Sequence, residues 1–296
     1  VDTSMGNAPF FSVLPHDLAA RIGTPHAPLI LDVRRRPRFD ESTHLLASAR
    51  HCTPEDIAAL AAQAPPREAV VYCVYGHAVS QEAAAVLRQA GWNARFLAGG
   101  FEGGEPGADS PQDIALWRAA RPLALRKRTD LGVDGTAPSR WITRARPKID
   151  RIACPWLVRR FIDPRAEFLY VEAAQVLPEA QRLGAVAYDI PGAPITHEGA
   201  LCSFDALLAA FGLQADPALA ALARIVRGAD TDQLQLAPQA AGLLAVSLGL
   251  SQLHSNDDLG MFAAAMPLYD ALYAWCRQGL AGPQESHRWA PEGVPA

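Results

Sequence analysis

No Cys-x-x-Cys pair occurs in the 296 residues, and the five cysteines, Cys52, Cys73, Cys154, Cys202 and Cys276, are odd in number and widely spaced. That pattern argues against a disulfide framework and for a reducing compartment. No apolar run reaches the roughly 18 residues that suggest a membrane span. Positive charge is not in excess: 27 Lys and Arg against 31 Asp and Glu leave a net charge of -4, so no broad nucleic-acid footprint is expected. Val1 to Met5 has no basic segment leading into an apolar stretch, so a secretory leader is not expected and Met5 reads as the native start. These absences together predict a cytoplasmic protein without membrane or nucleic-acid partners.

What is present is ordinary for a globular chain: half the residues are hydrophobic and a fifth are charged. The length suits two domains of about 100–200 residues each. Leu29 to Val33, Val70 to Tyr72 and Ala94 to Leu97 are short apolar runs, the mark of buried parallel strands. Pro54 to Ala64 and the stretch after Ser80, with Ala83, Ala84, Leu87 and Ala90 at helical spacing, predict helices between them. Thr53 and Ser80 read as the caps and Gly91 as the stop. Alternating strands and helices imply an α/β domain with a mostly parallel sheet.

Gly103 to Pro111 reads as a loop, 112–120 as a short helix and 126–140 as a linker without a clear period. The second half is mainly helical with a few short strands. Its helices are expected from Ile149 to about Asp163, from a Ser203 cap to Gly212, from Asp216-Pro217 to Gly228, over Gln239 to Leu253, and over Asp257 to Arg277. Short strands are expected at Phe168 to Val171 and Val186 to Ile190. The division is 1–125, a linker of 126–140, and 141–296.

The sharpest chemical signal is Cys73, at the carboxyl end of a strand and followed by a short loop with Gly76, then a helix. Ligands of open α/β sheets lie at the carboxyl ends of strands. Loop amides and the positive end of a helix dipole favour a thiolate, the reactive form. Taken alone, Cys73 reads equally as a buried structural thiol.

Three segments carry a family resemblance: Leu31-Asp32-Val33-Arg34, then Val71-Tyr72-Cys73 with Gly76, then Phe96 through Gly99-Gly100 to Gly103. In that order they resemble a rhodanese domain over residues 10 to 120. The resemblance implies a sulfurtransferase that carries a sulfane sulfur on Cys73 as a persulfide. It needs no cofactor and passes the sulfur from a small donor, thiosulfate or a persulfide, to a thiol acceptor. Val74, Tyr75, Gly76, His77, Ala78 and Val79 would surround that sulfur, with Asp32 and Arg34 at the pocket edge or in an architectural role. Ala78 stands where many members carry a cation, which weakens the hold on a thiosulfate dianion. His77, the one titratable group in the loop, reads as a proton source or a solvent-facing bystander.

From about 140 to 280 the chain resembles the C-terminal domain of the chromate-resistance protein family. The residues are Arg144 to Trp156, His197-Glu198-Gly199 with Cys202 to Asp205, Val226 to Thr231, and Tyr269 to Trp275. The resemblance implies a link to chromate tolerance. The alternative function is therefore a chromate or oxyanion binding or sensing module, with the rhodanese fold accessory. Arg144, Lys148 and Arg151 at a helix start suit an oxyanion, or equally a solvated basic face. His197, Glu198, Cys202, Asp205 and Asp230 are of metal-binding types, with His197 and Asp230 the first candidates for a metal ion, although their spacing matches no strong zinc signature.

Overall fold

A computed structural model of the chain describes residues 11–282, so the reading of Val1 to Met5 and the last residues of the 141–296 division lie outside the described residues. The first half runs β1 (Ser12–Val13), α1 (Pro15–Arg21), β2 (Leu29–Asp32), α2 (Arg36–Glu41), β3 (His44–Leu46), β4 (Arg50–His51), α3 (Ile57–Gln63), β5 (Glu68–Tyr72), α4 (Ala78–Gln89), β6 (Asn93–Leu97), α5 (Pro111–Ala119) and β7 (Ala124–Arg126). The second half runs β8 (Arg140–Arg144), α6 (Asp150–Leu157), β9 (Glu167–Val171), α7 (Val176–Leu183), β10 (Val186–Ala187), α8 (Ser203–Phe211), α9 (Pro217–Asp230), α10 (Gln239–Leu253) and α11 (Asp258–Ala281).

The first half is a five-stranded sheet in the order β1-β6-β5-β2-β4, parallel throughout. The second is mostly helical around a three-stranded parallel sheet, β10-β8-β9. The fold is thus the expected α/β domain followed by a helical region with few short strands. No helix among the described residues is long and apolar enough to cross a membrane.

A parallel sheet must be covered on both faces. Leu31, Val33, Ala69, Val71 and Cys73 pack with Ile57 and Ala61 of α3 and with Ala83, Ala84 and Leu87 of α4. On the other face Val13, Ile30, Val70, Tyr72 and Leu97 belong to one continuous core with Trp156, Leu157, Phe161 and Ile162 of the second half. Phe161 is the wedge at this junction. Its ring lies directly over Gly23, where a Cβ would collide with it, and φ at Gly23 is +79°. Its carbonyl accepts a hydrogen bond from the Ser48 N–H at 2.5 Å.

The 126–140 segment is docked rather than free. β7 pairs antiparallel with β3, and Leu125 and Val133 are buried. The Lys127 ammonium donates to the Phe39 carbonyl and sits over that ring. Burial first, and then the Arg34 charge, push the Lys127 pKa down to about 8.

Three local expectations change. α4 begins at Ala78, so Ser80 lies in the first turn and is not the cap. Cys202, not Ser203, caps α8, in a capping box with Asp205. α9 does not stop at Gly228 but continues to Asp230. Gly228 is there for packing: a Cβ would lie 3.0 Å from the Ala240 Cβ and 3.1 Å from the Gln233 carbonyl.

Candidate functional site

From β2 the chain crosses to β4 on one side of the sheet, and from β5 it crosses to β6 on the other. The carboxyl ends of β2 and β5 therefore form a topological switch point, the place where open α/β sheets bind ligands. Arg34 follows β2 and Cys73 follows β5 at that crevice. A cleft lined by Arg34, Arg38, Glu41, Ser42, Val74 and Glu102 reaches Val74, the residue after Cys73, but not Cys73 itself.

Cys73 is 6% exposed. Its sulfur lies 3.2 Å from the Ser80 hydroxyl and 4.0 Å from the His77 carbonyl. The Ser80 hydroxyl also reaches that carbonyl, at 3.1 Å. Its single proton can be given to the carbonyl while Cys73 is a thiol, or to the sulfur once it is a thiolate. The ring of main-chain amides expected around the sulfur is not among these hydrogen bonds; the nearby donor is Ser80. The other thiols are unsuited to nucleophilic work. Burial pushes Cys52 and Cys276 up to about 11 and drives Cys154 and Cys202 well above the usual thiol range.

Two glycines hold the loop against the closing turn. φ is +80° at Gly76 and +58° at Gly100, and a Cβ on either would strike the other's backbone. Cys73 and Val74 carbonyls accept from the Phe101 and Glu102 N–H groups at 2.9 and 2.8 Å. His77 is turned to two carboxylates, Asp109 at 3.0 Å and Glu105 at 3.3 Å, and so ties the loop to the 103–111 segment. Ala78 is exposed at the helix start, while Tyr75 and Val79 are half-buried.

Asp32 and Arg34 form a buried pair. The Arg34 guanidinium donates to both Asp32 carboxylate oxygens, at 2.6 to 3.0 Å, and to the His44 carbonyl at 3.0 Å. The Tyr72 hydroxyl donates to Asp32 at 2.8 Å, and Arg34 lies over the Phe101 ring at 4.3 Å. This pair bolts the end of β2 to that of β5.

In the second half His197 Nε2 lies 3.1 Å from Asp230, 3.3 Å from Asp189 and 3.4 Å from Asp150. Asp150 is fully buried, and its second oxygen has no hydrogen-bond partner. Hydrogen bonding to Asp150 foremost pushes His197 up to about 9. Burial, then Asp150 and Asp189, push Asp230 up to about 7, and burial raises Asp150 as well. Asp189 is also met by Arg144 and Arg151, so Asp150 and Asp230 are the carboxylates left to share His197, and these residue types can ligate a divalent cation. Ligand atoms of Asp150, His197 and Asp230 lie within 4.8 Å of one another, which makes this group a candidate metal site. Manganese(II) is expected to raise the melting temperature of the wild-type chain and to leave that of His197→Ala unchanged. Equal responses in a thermal-shift titration would dismiss the group as a metal site.

Sequence reasoning singled out His197 and Asp230 but missed Asp150 and Asp189. Asp150 is hidden in a basic run, and Asp189 sits just beyond a strand in the left-handed region, φ +52°. Cys202 and Asp205 serve the α8 cap, and Glu198 is exposed. Arg151 donates to the Ala145 carbonyl at 2.9 Å and pairs with Asp189 at 3.3 Å, and Arg144 reaches Asp189 at 3.4 Å. Lys148 is half-buried. Of the three expected oxyanion residues, both arginines are thus directed at a carboxylate of the acidic group.

Two family models match separate stretches of the chain. A rhodanese-like domain model matches residues 14–105, and the model described as ChrB, C-terminal domain matches residues 141–276. Protein ChrB of Cupriavidus metallidurans is 38% identical over 165 residues, 52% of this chain and 49% of that protein. The chain thus spans about half the length of that curated relative. Among solved structures, a rhodanese homologue from Thermus thermophilus shares 31% identity at a TM-score of 0.25, covering 30% of this chain and 94% of that one. A full-length protein from Lactobacillus plantarum shares 21% identity at a TM-score of 0.30, covering 39% of this chain and 88% of that one. The chain is a rhodanese-like domain joined to a ChrB C-terminal domain.

Proposed function

We propose that the chain is a sulfurtransferase in which Cys73 carries the transferred sulfur. The observation that supports this most is the place of Cys73: it leaves β5 at the switch point and leads into α4, with the Ser80 hydroxyl 3.2 Å from its sulfur. The Cys73 thiolate attacks the outer sulfur of a persulfide donor, and the donor leaves as its thiolate. A thiolate acceptor then takes the outer sulfur and releases Cys73 as thiolate again. Ser80 steadies the anion at both ends of the cycle.

The charge of the crevice bears on the donor. Residues 74–79 include no Lys or Arg. Arg34 is spent on Asp32, Arg38 pairs with Glu41 at 3.0 Å, and Glu102 adds a further carboxylate. A loop without fixed cations suits a small persulfide better than the thiosulfate dianion. A chromate-handling role is the reading that attaches to the ChrB-type half, and the chemistry at Cys73 does not depend on it.

Sulfur transfer to a thiol, measured with a low-molecular-weight persulfide and with thiosulfate, tests the proposal. The expected result is faster turnover with the persulfide and none with Cys73→Ser. Full activity in Cys73→Ser would end this reading.

A further inference from the structure

Between the two halves lies a cavity of about 190 Å³, bounded by Ser48 and Arg50 next to and in β4, by Arg67 before β5, and by Arg159, Arg160 and Arg165 of the second half. Five guanidiniums around one small space repel one another. Arg160 pairs with Asp270 at 2.7 Å, and Arg165 pairs with Asp163 at 3.2 Å. Arg50, Arg67 and Arg159 have no carboxylate partner among the described residues. Burial first, and then the Arg165 and Arg67 charges, lower the Arg50 pKa, and burial lowers that of Arg159.

The cavity also gathers unsatisfied donors. Ser48 Oγ, Arg50 Nη2 and Arg159 Nε are buried without a hydrogen-bond partner. Ser48 is 5% exposed and is held at φ +62°, in the left-handed region. Buried polar groups are almost always paired, so three orphans around one space call for an occupant. Backbone strain of this kind persists where the surrounding structure imposes it, and it clusters at ligand sites.

The geometry points to a binding site for a small tetrahedral dianion of the sulfate or phosphate type, held between the two halves of the chain. The charged lining consists of guanidiniums only, and the orphaned atoms include two guanidinium nitrogens and a hydroxyl. Guanidiniums converging from several directions match an anion with oxygens on every side, and charge-assisted hydrogen bonds are the strong ones. The anion would neutralise the repulsion among the arginines. Because these come from both halves, occupancy would tighten their junction. The inference is independent of the chemistry at Cys73, and the cavity is separate from the Asp150 and His197 group.

Calorimetric titration of the full chain with sodium sulfate and with sodium phosphate, against sodium chloride at equal ionic strength, tests it. Saturable binding of at least one dianion is expected, with a higher melting temperature that chloride does not reproduce. Arg159→Gln and the exposed Arg67→Gln should each weaken that binding on the order of tenfold. In chloride alone, Arg67→Gln should melt no lower than wild type, because it removes repulsion; a merely structural arginine would melt lower. If Arg159→Gln does not fold, Arg67→Gln decides. Absence of dianion binding beyond chloride, or wild-type affinity in Arg67→Gln, would overturn the inference.

Discussion

Arg34→Met is expected to cost the folded chain about 3–5 kcal/mol, because it strands a buried carboxylate. Asp32 is 0% and Arg34 3% exposed. With the guanidinium gone, the Tyr72 hydroxyl and the main-chain N–H of residue 34 are the hydrogen-bond donors left to that carboxylate, and among the described residues no other cation is ion-paired with it. Urea unfolding at neutral pH measures the loss. Replacing both members, Asp32→Leu with Arg34→Met, should cost less than Arg34→Met alone, since no unpaired charge is then buried. A loss below about 1 kcal/mol in the single variant would show that water reaches the pair, contrary to its burial.

Phe161→Ala should cost a similar amount, about 3–5 kcal/mol, through lost apolar burial and the cavity left behind. The ring is fully buried. It stacks edge-on against Trp156 and Tyr273, with centroids 5.8 and 5.3 Å away, and covers Gly23. This one side chain therefore serves the cores of both halves. Scanning calorimetry should show one transition in the wild type and a lower, broader one in Phe161→Ala as the halves begin to melt separately. An unchanged transition would mean that the halves do not depend on this contact.

The parallel sheet is legible in the sequence because β2, β5 and β6 are short apolar runs separated by helical spacing. Cys73 is legible because it ends one of those runs just before a glycine loop. The part played by Ser80 is not: a serine near a helix start reads as a cap, and only the three-dimensional turn aims its hydroxyl at the sulfur. The acidic group around His197 is half visible. Asp150, Asp189 and Asp230 are 39 and 41 residues apart along the chain, so no spacing rule joins them. Folding brings them together through the ends of α6, β10 and α9. The arginine cavity is invisible for the same reason: Arg50 and Arg67 come from one half, and Arg159, Arg160 and Arg165 from the other. The 126–140 segment reads as a linker because its few apolar residues, Leu131, Val133 and Ala137, have no period. Val133 is buried in the core with Leu131 packed against it, and pairing of β7 with β3 at the start of the segment anchors it.

Peptide-resolved mass spectrometry of the reduced full chain, after exposure to a low-molecular-weight persulfide, tests the central claim most directly. One added sulfur atom is expected on the peptide containing Cys73, and it should disappear when a thiol acceptor is supplied. Sulfur found on Cys52, Cys154, Cys202 or Cys276 instead, or no added sulfur at all, would contradict the account.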